Sequence, residues 1–342
     1  GSAQKYLYSR YANPTVVVTE EKLAALDGAE AALVFASGMA AISTTLLTVL
    51  RPGDELLCSA ALYGGTFHLV NDVLTLFGIT PRFATLQELA SPASLITPRT
   101  KACWIESPIN PTLRCVDVKA IAAACRERGV TSVLDNTFAS PINQQPMALG
   151  VDLAMQSATK YLNGHSDVTG GAVAGSAALI GRIDRMRRYL GGVLDPQAAF
   201  ALARGLKTLP VRMARHNATA LALARFLEAD HRVTRVFYPG LPSHPDHDVA
   251  ARQMSGFGGM VCFEVPGGLD GASRVFDRLQ LIRRATSLGG VDSLVSLPVL
   301  TSHWNYSDDE LERAGVTQGM VRLSVGLEDE PDLLEDLDQA LG

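Results

Sequence analysis

Short apolar runs alternate with longer amphipathic segments through the first part of the chain. The runs 33–36, 102–105 and 130–134 have the length of buried strands, and small or polar residues follow each of them. Residues 117–129 have helical periodicity and close at a glycine, as many helices do. This alternation of strands with helices predicts an α/β fold with a mostly parallel sheet.

The same patterns extend along the rest of the chain. They predict helices over 19–26, 40–50, 67–77, 211–229 and 267–279, and strands over 55–58, 151–155, 170–175, 260–265 and 320–326. Residues 1–12 lack a core-forming periodicity and are expected to form an N-terminal arm. The Arg204–Pro210 segment is typical of a junction between two domains. We therefore expect a boundary at this point, with one domain over 13–210 and a C-terminal domain over 211–342.

Polar side chains follow three of the predicted strands, at the point where each strand ends. They are Glu106 and Asn110, Asp135 and Thr137, and Ser157 and Lys160. The carboxyl ends of parallel strands meet at one edge of an open α/β sheet, where ligands usually bind. The sequence therefore predicts ligand chemistry along this edge.

The residues that follow the third of these strands include a lysine, in the segment Ser157-Ala-Thr-Lys160. Burial of an ammonium group lowers its pKa and makes the amine nucleophilic, which suits a Schiff base with an aldehyde cofactor. Ser157 and Thr159 flank it with small hydroxyl groups that can donate to a phosphate. These residues predict an enzyme that carries pyridoxal 5′-phosphate (PLP) on Lys160.

Three nearby features each have a structural and a functional interpretation. Asp135 is either a helix or turn cap or the anionic partner of a protonated pyridine nitrogen, and Lys160 downstream favours the second. Ser37-Gly-Met39 lies between a strand and a helix, so Ser37 is either an ordinary N-cap or part of an anion site. Tyr63, beside two glycines, either stacks on a flat ring or belongs to a capping turn.

Arg322 lies among apolar neighbours in an alternating strand pattern. A buried arginine needs a partner, and a planar carboxylate matches its geometry best. One interpretation is that it binds the carboxylate of a substrate, and the other is an internal salt bridge with Glu328 or Asp329.

Composition narrows the class of protein. The 342 residues are 47% hydrophobic and 19% charged, which indicates a globular chain with room for two domains. The net charge is −5 without a basic block, so no nucleic-acid partner is expected. No apolar run reaches membrane-spanning length, and the first residues given do not have the pattern of a signal peptide. The five scattered cysteines lack metal-ligand spacing, so we expect no metal site and a cytoplasmic location.

Eight sets of short segments together resemble one family over nearly the whole chain. They are Tyr8-Ser-Arg10 with Asn13-Pro-Thr15, Ser37-Gly-Met39, Tyr63-Gly-Gly65, Glu106-Ser-Pro with Asn110-Pro, Asp135-Asn-Thr-Phe138, Ser157-Ala-Thr-Lys160, Ser287-Leu-Gly-Gly290, and Arg322-Leu-Ser-Val-Gly-Leu-Glu-Asp329. In this order they are similar to the Cys/Met-metabolism PLP-dependent enzymes of fold type I, which include cystathionine and methionine γ-lyases and cystathionine γ-synthases. The resemblance implies a mostly parallel central sheet with helices on both faces and a smaller C-terminal α/β domain.

The resemblance also implies roles for individual residues. Lys160 carries PLP and moves the substrate proton, Asp135 pairs with the ring nitrogen, and Tyr63 stacks on the ring and acts as acid or base. The remaining cofactor residues are Gly38, Met39, Thr137, Ser157 and Thr159, with Tyr8 and Arg10 supplied by the neighbouring subunit. The substrate-binding residues are Asn110, Ser287 and Arg322. The family's assembly implies a homotetramer, a dimer of dimers with shared active sites.

Within the family, Asp292 favours cystathionine as the substrate, because an acid there is expected to meet the distal ammonium of that amino acid. The chain is therefore expected to be a carbon–sulfur lyase of the transsulfuration type, performing α,γ-elimination or α,β-elimination. Leu7, Gly65 and His68 differ from residues that some members carry. His68 has a second interpretation as a solvated residue in the first turn of a helix.

Two further hypotheses remain open at this point. A γ-replacement enzyme, either a cystathionine γ-synthase or a homoserine-ester sulfhydrylase, would join a thiol to an activated homoserine ester. A non-catalytic PLP-fold binding protein would need an added binding module or the loss of Lys160, and the sequence has neither.

Overall fold

The computed structural model describes residues 6–304 and 306–342, and it contains two β-sheets covered by helices. The strands of the larger sheet are β1 (Ala31–Phe35), β2 (Glu55–Ser59), β3 (Thr80–Ala84), β4 (Thr100–Glu106), β5 (Thr131–Asp135), β6 (Leu153–Gln156) and β7 (Gly171–Gly175). Within the described chain, this seven-stranded sheet has the order β1-β7-β6-β5-β4-β2-β3. All strands except β7 run parallel to one another, which confirms the predicted mostly parallel sheet.

Strand β7 runs against both of its neighbours, β1 and β6. Residues 157–170, all of them described, join β6 to β7 without a helix and remain at the carboxyl edge of the sheet. A parallel return would need a crossover to the opposite edge, so the chain turns back antiparallel. Glycine at position 171 allows close packing here, because a Cβ would lie 2.9 Å from the Cβ of Ala41.

Helices cover both faces of the larger sheet, as the resemblance implied. Helices α1 (Pro14–Asp27) and α8 (Pro196–Leu206) pack in one core, which contains Ala154 of β6. Helices α2 (Gly38–Val49) and α7 (Ala177–Leu190) pack in the other core, which contains Leu153 and Met155. Successive residues of β6 thus point to opposite faces, as in any strand with two buried faces.

Two of the predicted helices differ clearly from the observed ones. Helix α1 begins at Pro14 rather than at residue 19, because the Asn13 side chain accepts from the Thr15 N–H and proline suits the first helical position. The helix predicted over 67–77 is instead α3 (Gly64–His68), then a π turn over Leu69–Val73 and a 3₁₀ turn over Leu74–Phe77. Apolar periodicity does not reveal such a shift in hydrogen-bond register, which is common beside functional sites.

Eight further helices complete the described ranges. They are α4 (Leu86–Leu89), α5 (Val118–Glu127), α6 (Ser140–Asn143), α9 (Leu209–Ala229), α10 (His247–Gln253), α11 (Gly268–Arg278), α12 (Asp308–Ala314) and α13 (Glu330–Leu341). None of the helices in the described ranges has the length and apolar character of a membrane span.

The C-terminal part of the chain forms a separate and mostly antiparallel sheet. Its strands are β8 (Arg235–Phe237), β9 (Met260–Glu264), β10 (Arg283–Arg284), β11 (Leu294–Ser296) and β12 (Met320–Ser324), in the order β10-β11-β12-β9-β8. Helices α9, α11 and α13 cover one core of this sheet. Helix α9 connects the two parts, because Met213 packs in the core of the larger sheet and Leu223 in that of the smaller one. The domain boundary at residue 210 stays a prediction.

Candidate active site

A cavity of about 820 Å³ opens at the carboxyl ends of β4, β5 and β6. It lies at the edge where the sequence predicted ligand chemistry, and it extends to residues of the second sheet. The predicted site residues in its lining are Gly38, Met39, Tyr63, Asn110, Asp135, Thr137, Ser157, Thr159, Lys160, Ser287 and Arg322. The structure thus brings eleven of the fourteen predicted residues to one cavity; the exceptions are Tyr8, Arg10 and Asp292.

The amine of Lys160 lies within this cavity and donates a hydrogen bond to the Ser287 hydroxyl, with 2.7 Å from Nζ to Oγ. Burial, together with the positive charge of Arg322, lowers the pKa of Lys160 to about 8. The backbone around it is held by Arg212, whose buried guanidinium donates to the carbonyl groups of Tyr161 and Leu162. The structure therefore presents a fixed amine that loses its proton more easily than an exposed lysine.

Asp135 and Thr137 form one hydrogen-bonded unit at the end of β5. The Thr137 hydroxyl donates to the Asp135 carboxylate over 2.5 Å and accepts the Ser157 N–H over 2.8 Å. Burial raises the pKa of Asp135 to about 6, although the hydrogen bonds from Thr137 act in the opposite direction. Thr137 thus connects the carboxylate to the backbone of Ser157.

The N-terminus of α2 faces Ser157 across the cavity. Ser37 is an N-cap residue, since its hydroxyl accepts the Ala40 N–H over 3.0 Å, and it also lines the cavity, so its capping role is compatible with an anion site at this turn. The lining residues Gly38 and Met39 lie in the first turn, where backbone N–H groups lack partners within the helix. A Cβ at Gly38 would lie 3.4 Å from Oγ of Ser157, so these two segments are close enough to hold one anion. The Thr159 hydroxyl is engaged with the backbone of Gly170.

Tyr63 precedes α3 and its side chain is half exposed. A Cβ at Gly65 would lie 2.6 Å from Cε1 of Tyr63 and 2.8 Å from the sulfur of Met39, so the ring lies directly over this glycine. The Tyr63 N–H donates to the buried carboxyl group of Glu106 over 2.8 Å. Sequence reasoning gave Glu106 no role, although its position at a strand exit was the available signal.

Arg322 is buried at the opposite wall of the cavity and contacts two other predicted residues. Its Nη1 donates to the side-chain oxygen of Asn110 over 2.8 Å, and its Nη2 lies 3.4 Å from the carbonyl oxygen of Ser287. The alternative of an internal salt bridge is wrong for both proposed partners. The Glu328 carboxylate accepts from the backbone and hydroxyl of Ser293, and Asp329 pairs with Arg215.

Three predicted residues lie away from the cavity of this subunit. Arg10 donates to the Arg188 carbonyl of α7 over 2.8 Å, and Tyr8, which is exposed, packs beside Arg10. Residues 1–5 of the expected arm lie outside the described residues. The Asp292 carboxylate is half exposed, lies 3.9 Å from the Arg283 guanidinium and does not line the cavity. Its contact with a substrate ammonium stays a prediction.

The exposed end of the cavity is lined by Phe67, His68, Trp304, Tyr306 and Glu310. Sequence reasoning gave Phe67, Tyr306 and Glu310 no role. The rings of Phe67 and Tyr306 lie 6.2 Å apart, which links α3 to the segment before α12. The side chain of His68 is 64% exposed and forms a pair with Asp72, one helical turn later, so its interpretation as a solvated residue fits the structure.

The lining groups can be tested against the chemistry of PLP. An amine, a buried carboxylate, an exposed aromatic ring and a helix N-terminus with a serine hydroxyl share one cavity. These match the aldehyde, the pyridine nitrogen, the ring face and the phosphate of PLP respectively. The residues present therefore fit this cofactor.

Comparison with known proteins gives matches over the whole chain. Residues 1–342 match the family model described as Cys/Met metabolism PLP-dependent enzyme. The chain is 45% identical over 343 residues to an L-methionine gamma-lyase of Pseudomonas putida and 46% identical over 343 residues to a cystathionine gamma-lyase of Mus musculus. Each alignment covers 100% of this chain and 86% of the relative. The crystal structure of metB from Corynebacterium glutamicum superimposes with a TM-score of 0.94 at 39% identity, covering 99% of this chain and 88% of that chain.

Proposed function

Because this chain belongs to the Cys/Met-metabolism PLP-dependent enzymes, we propose that it is a carbon–sulfur lyase of the transsulfuration type. The proposed reaction is α,γ-elimination on cystathionine or a related sulfur amino acid, with α,β-elimination as a second reaction of the same site. Its cofactor is PLP and its substrates are free amino acids, as in the rest of the family. A non-catalytic binding protein is therefore set aside.

One observation carries the proposal: Ser287 contacts both Lys160 and Arg322. Its hydroxyl accepts from the lysine amine, and its carbonyl oxygen lies 3.4 Å from the arginine guanidinium. An α-amino acid whose carboxylate binds Arg322 would therefore have its α-carbon beside the Lys160 amine. This is the placement that removal of an α-proton requires.

The cofactor would be held by the groups that fit its parts. We propose that Lys160 carries it, that Asp135 faces its ring nitrogen, and that Tyr63 covers its ring. Ser157 and the backbone N–H groups of Gly38 and Met39 would bind its phosphate. When bound, PLP supplies an electron sink for negative charge that develops at the substrate α-carbon. An ionised Asp135 would strengthen that sink by keeping the ring nitrogen protonated.

Proton transfer is assigned to Lys160 and Tyr63. The lowered pKa of Lys160 leaves a useful fraction of neutral amine near pH 8, so Nζ can take the α-proton and return it. Ser287 holds this amine and limits its motion between transfers. Tyr63, at the exposed side of the cavity, would protonate the departing sulfur or carry the second proton.

The cavity beyond Tyr63 has space for a substrate with a large leaving group. Its exposed end is lined by Phe67, Trp304 and Tyr306 together with the acid Glu310. Aromatic faces and a carboxylate attract an ammonium group, which is what cystathionine carries at its distal end. Glu310 is therefore proposed for the role that the sequence suggested for Asp292.

The alternative is γ-replacement, in which the Cγ–O bond of an activated homoserine ester breaks, the acyloxy group leaves as a carboxylate, and a thiol adds at Cγ. Both reactions need the same Lys160, Asp135 and Arg322, so these residues do not separate them. The choice depends on whether water or a thiol completes the reaction at the exposed end of the cavity.

The proposed active unit is a homodimer, with two dimers forming a tetramer, and the proposed location is the cytoplasm. Tyr8 is exposed, and Arg10 donates a hydrogen bond to a carbonyl group of α7. Both residues lie away from the cavity of their own subunit. We propose that they reach the phosphate site of a neighbouring subunit. Apolar side chains exposed on α7 and α8, among them Tyr189 and Phe200, support contact with a second copy.

The central experiment incubates the purified PLP-loaded protein with L-cystathionine and measures 2-oxobutyrate and cysteine. We expect both products, and none from Lys160→Ala. Parallel reactions contain an O-acylhomoserine with cysteine. Thioether formation faster than any keto-acid release would favour γ-replacement, and absence of keto acid from cystathionine, methionine and cysteine alike would overturn the lyase proposal.

A further inference from the structure

Glu106 is a buried carboxyl group of the cavity that none of the roles above uses. It is the last residue of β4, lies beside Asp135 of β5 in the sheet register, and is only 6% exposed. A buried carboxyl is costly unless it is hydrogen-bonded, so its partner indicates what it does.

The hydrogen bond that Glu106 accepts comes from the backbone of Tyr63. The Tyr63 N–H donates to Oε1 over 2.8 Å, and the Tyr63 carbonyl accepts from the Phe67 N–H over 3.0 Å. Tyr63 is the N-cap residue of α3 and makes no capping hydrogen bond with its own side chain. Both polar backbone groups of this residue are therefore fixed, one by the helix and the other by Glu106.

Fixing the backbone matters because little else constrains the Tyr63 ring. The side chain is 48% exposed, and its ring lies over Gly65 and beside Met39. Space for the ring exists only because position 65 lacks a Cβ, which would come within 2.6 Å of the ring. A change in the direction of the Tyr63 backbone would thus move the ring away from the cavity.

The surroundings of Glu106 favour the neutral form of its carboxyl group. Burial and the nearby Asp135 raise its pKa well above that of an ordinary glutamate. Cys58 and Tyr306 are the other titratable groups whose charges interact with it. A neutral carboxyl can hold the Tyr63 N–H without adding a second negative charge beside Asp135.

We propose that Glu106 is a positioning residue for Tyr63. By accepting the Tyr63 N–H, the Glu106 carboxyl group holds the tyrosine ring over Gly65, beside the place proposed for the cofactor ring. The inference rests on the proposed use of Tyr63 in the cofactor site. It also explains why the end of β4 carries a carboxyl group so close to the one at the end of β5.

The test measures the dissociation constant of PLP from the cofactor-free protein by spectroscopic titration, so activity is not needed. Glu106→Leu removes the acceptor, whereas Glu106→Gln keeps an acceptor oxygen in the same place. Loss of one buried hydrogen bond predicts about tenfold weaker PLP binding for Glu106→Leu and a change of less than about twofold for Glu106→Gln. Equal losses in both variants would overturn the proposal, because they would show that the carboxyl itself acts.

A double-mutant cycle with Tyr63→Ala tests whether Glu106 acts through the tyrosine. When the ring is absent, Glu106→Leu should weaken PLP binding by less than about twofold further. A full additional loss would show that Glu106 acts on the cofactor or on Asp135 instead. If Tyr63→Ala itself leaves PLP binding unchanged, the proposed role of Tyr63 fails, and that result is distinct from a failure of the Glu106 inference.

Thermal unfolding of the cofactor-free protein would reveal whether Glu106→Leu folds. If it does not fold, a second variant tests the proposal. Gly65→Ala leaves Glu106 intact but places a methyl group where the ring lies. It should weaken PLP binding by about the same factor as loss of the hydrogen bond. It should also have no further effect in the Tyr63→Ala background. Unchanged PLP binding in Gly65→Ala would show that the ring position is unimportant and would overturn the proposal.

Discussion

Lys160 and Ser287 are 127 positions apart in the sequence, yet the lysine Nζ donates to the serine Oγ over 2.7 Å. Ser287 also has a φ of 84°, in the left-handed region that favours glycine. A non-glycine residue is strained in that conformation, and such strain is common at functional sites. The hydrogen bond between Ser287 and Lys160 is therefore formed at some cost in backbone energy.

Replacing Ser287 should separate the function of its hydroxyl from that of its backbone. Ser287→Ala and Ser287→Gly both lose the acceptor for Lys160, so we expect kcat to fall about tenfold in each. The KM for the amino acid should change little, because the Arg322 contact is with the carbonyl oxygen. Ser287→Gly should unfold at a higher temperature than Ser287→Ala, because glycine accepts positive φ. A large rise in KM with unchanged kcat would contradict this division.

The rate at which the cofactor-free protein forms a covalent bond with PLP should depend on pH. Burial lowers the pKa of Lys160 to about 8, and only the neutral amine is nucleophilic. The rate of PLP capture should therefore rise with pH through about 8 and level off above it. Stopped-flow absorbance after mixing with PLP measures this rate, with Lys160→Arg as the control that forms no covalent product. A rate that keeps rising beyond pH 10 would indicate an unperturbed lysine.

The two candidate acids for the distal ammonium of cystathionine can be compared directly. Glu310 lines the cavity, whereas Asp292 lies outside it and beside Arg283. Glu310→Gln should raise the KM for cystathionine about five- to tenfold, since a partly exposed ion pair contributes roughly 1 kcal/mol. Its KM for methionine, which lacks that ammonium, should not change. The matched variant Asp292→Asn should leave both KM values unchanged, and the opposite pattern would restore the role of Asp292.

Sharing of active sites between subunits predicts complementation. Lys160→Ala removes the amine of one subunit, and Arg10→Ala removes the arm residue proposed to serve its neighbour. Co-expressed copies, each with one substitution and a different affinity tag, should form hybrid dimers in which one site retains both residues. In a hybrid dimer isolated by tandem purification one of the two sites is intact, so its activity should be about half of the wild-type value per subunit. Hybrids as inactive as the single variants would contradict sharing.

Much of the site was predictable from local sequence. Glu106 and Asp135 end two neighbouring parallel strands and Ser157 follows the third, so their positions at one edge result from strand direction alone. Lys160 lies three residues after Ser157, and its chemistry was identifiable from its place at a strand exit. Family resemblance decided between the two interpretations of Tyr63 and supplied the roles of the glycine-rich turns.

Contacts between distant segments were not predictable in the same way. Arg322 meets Asn110 across 212 positions, and Glu328 was excluded as its partner because that carboxylate binds Ser293. The direction of β7 likewise depends on how the chain returns from residues 157–170. Such outcomes depend on which competing partner is within reach after folding.

The sequence by itself determined the fold class, the cofactor and the edge of the sheet where the chemistry occurs. Those features follow from periodicity and from residue types repeated at strand ends, which are local properties of the chain. Only the tertiary structure decided that Ser287 holds Lys160, that Glu106 supports Tyr63, and that Glu310 rather than Asp292 lines the cavity. Hydrogen bonds and short-range contacts act over a few ångströms, so these pairings exist only once packing has brought the segments together.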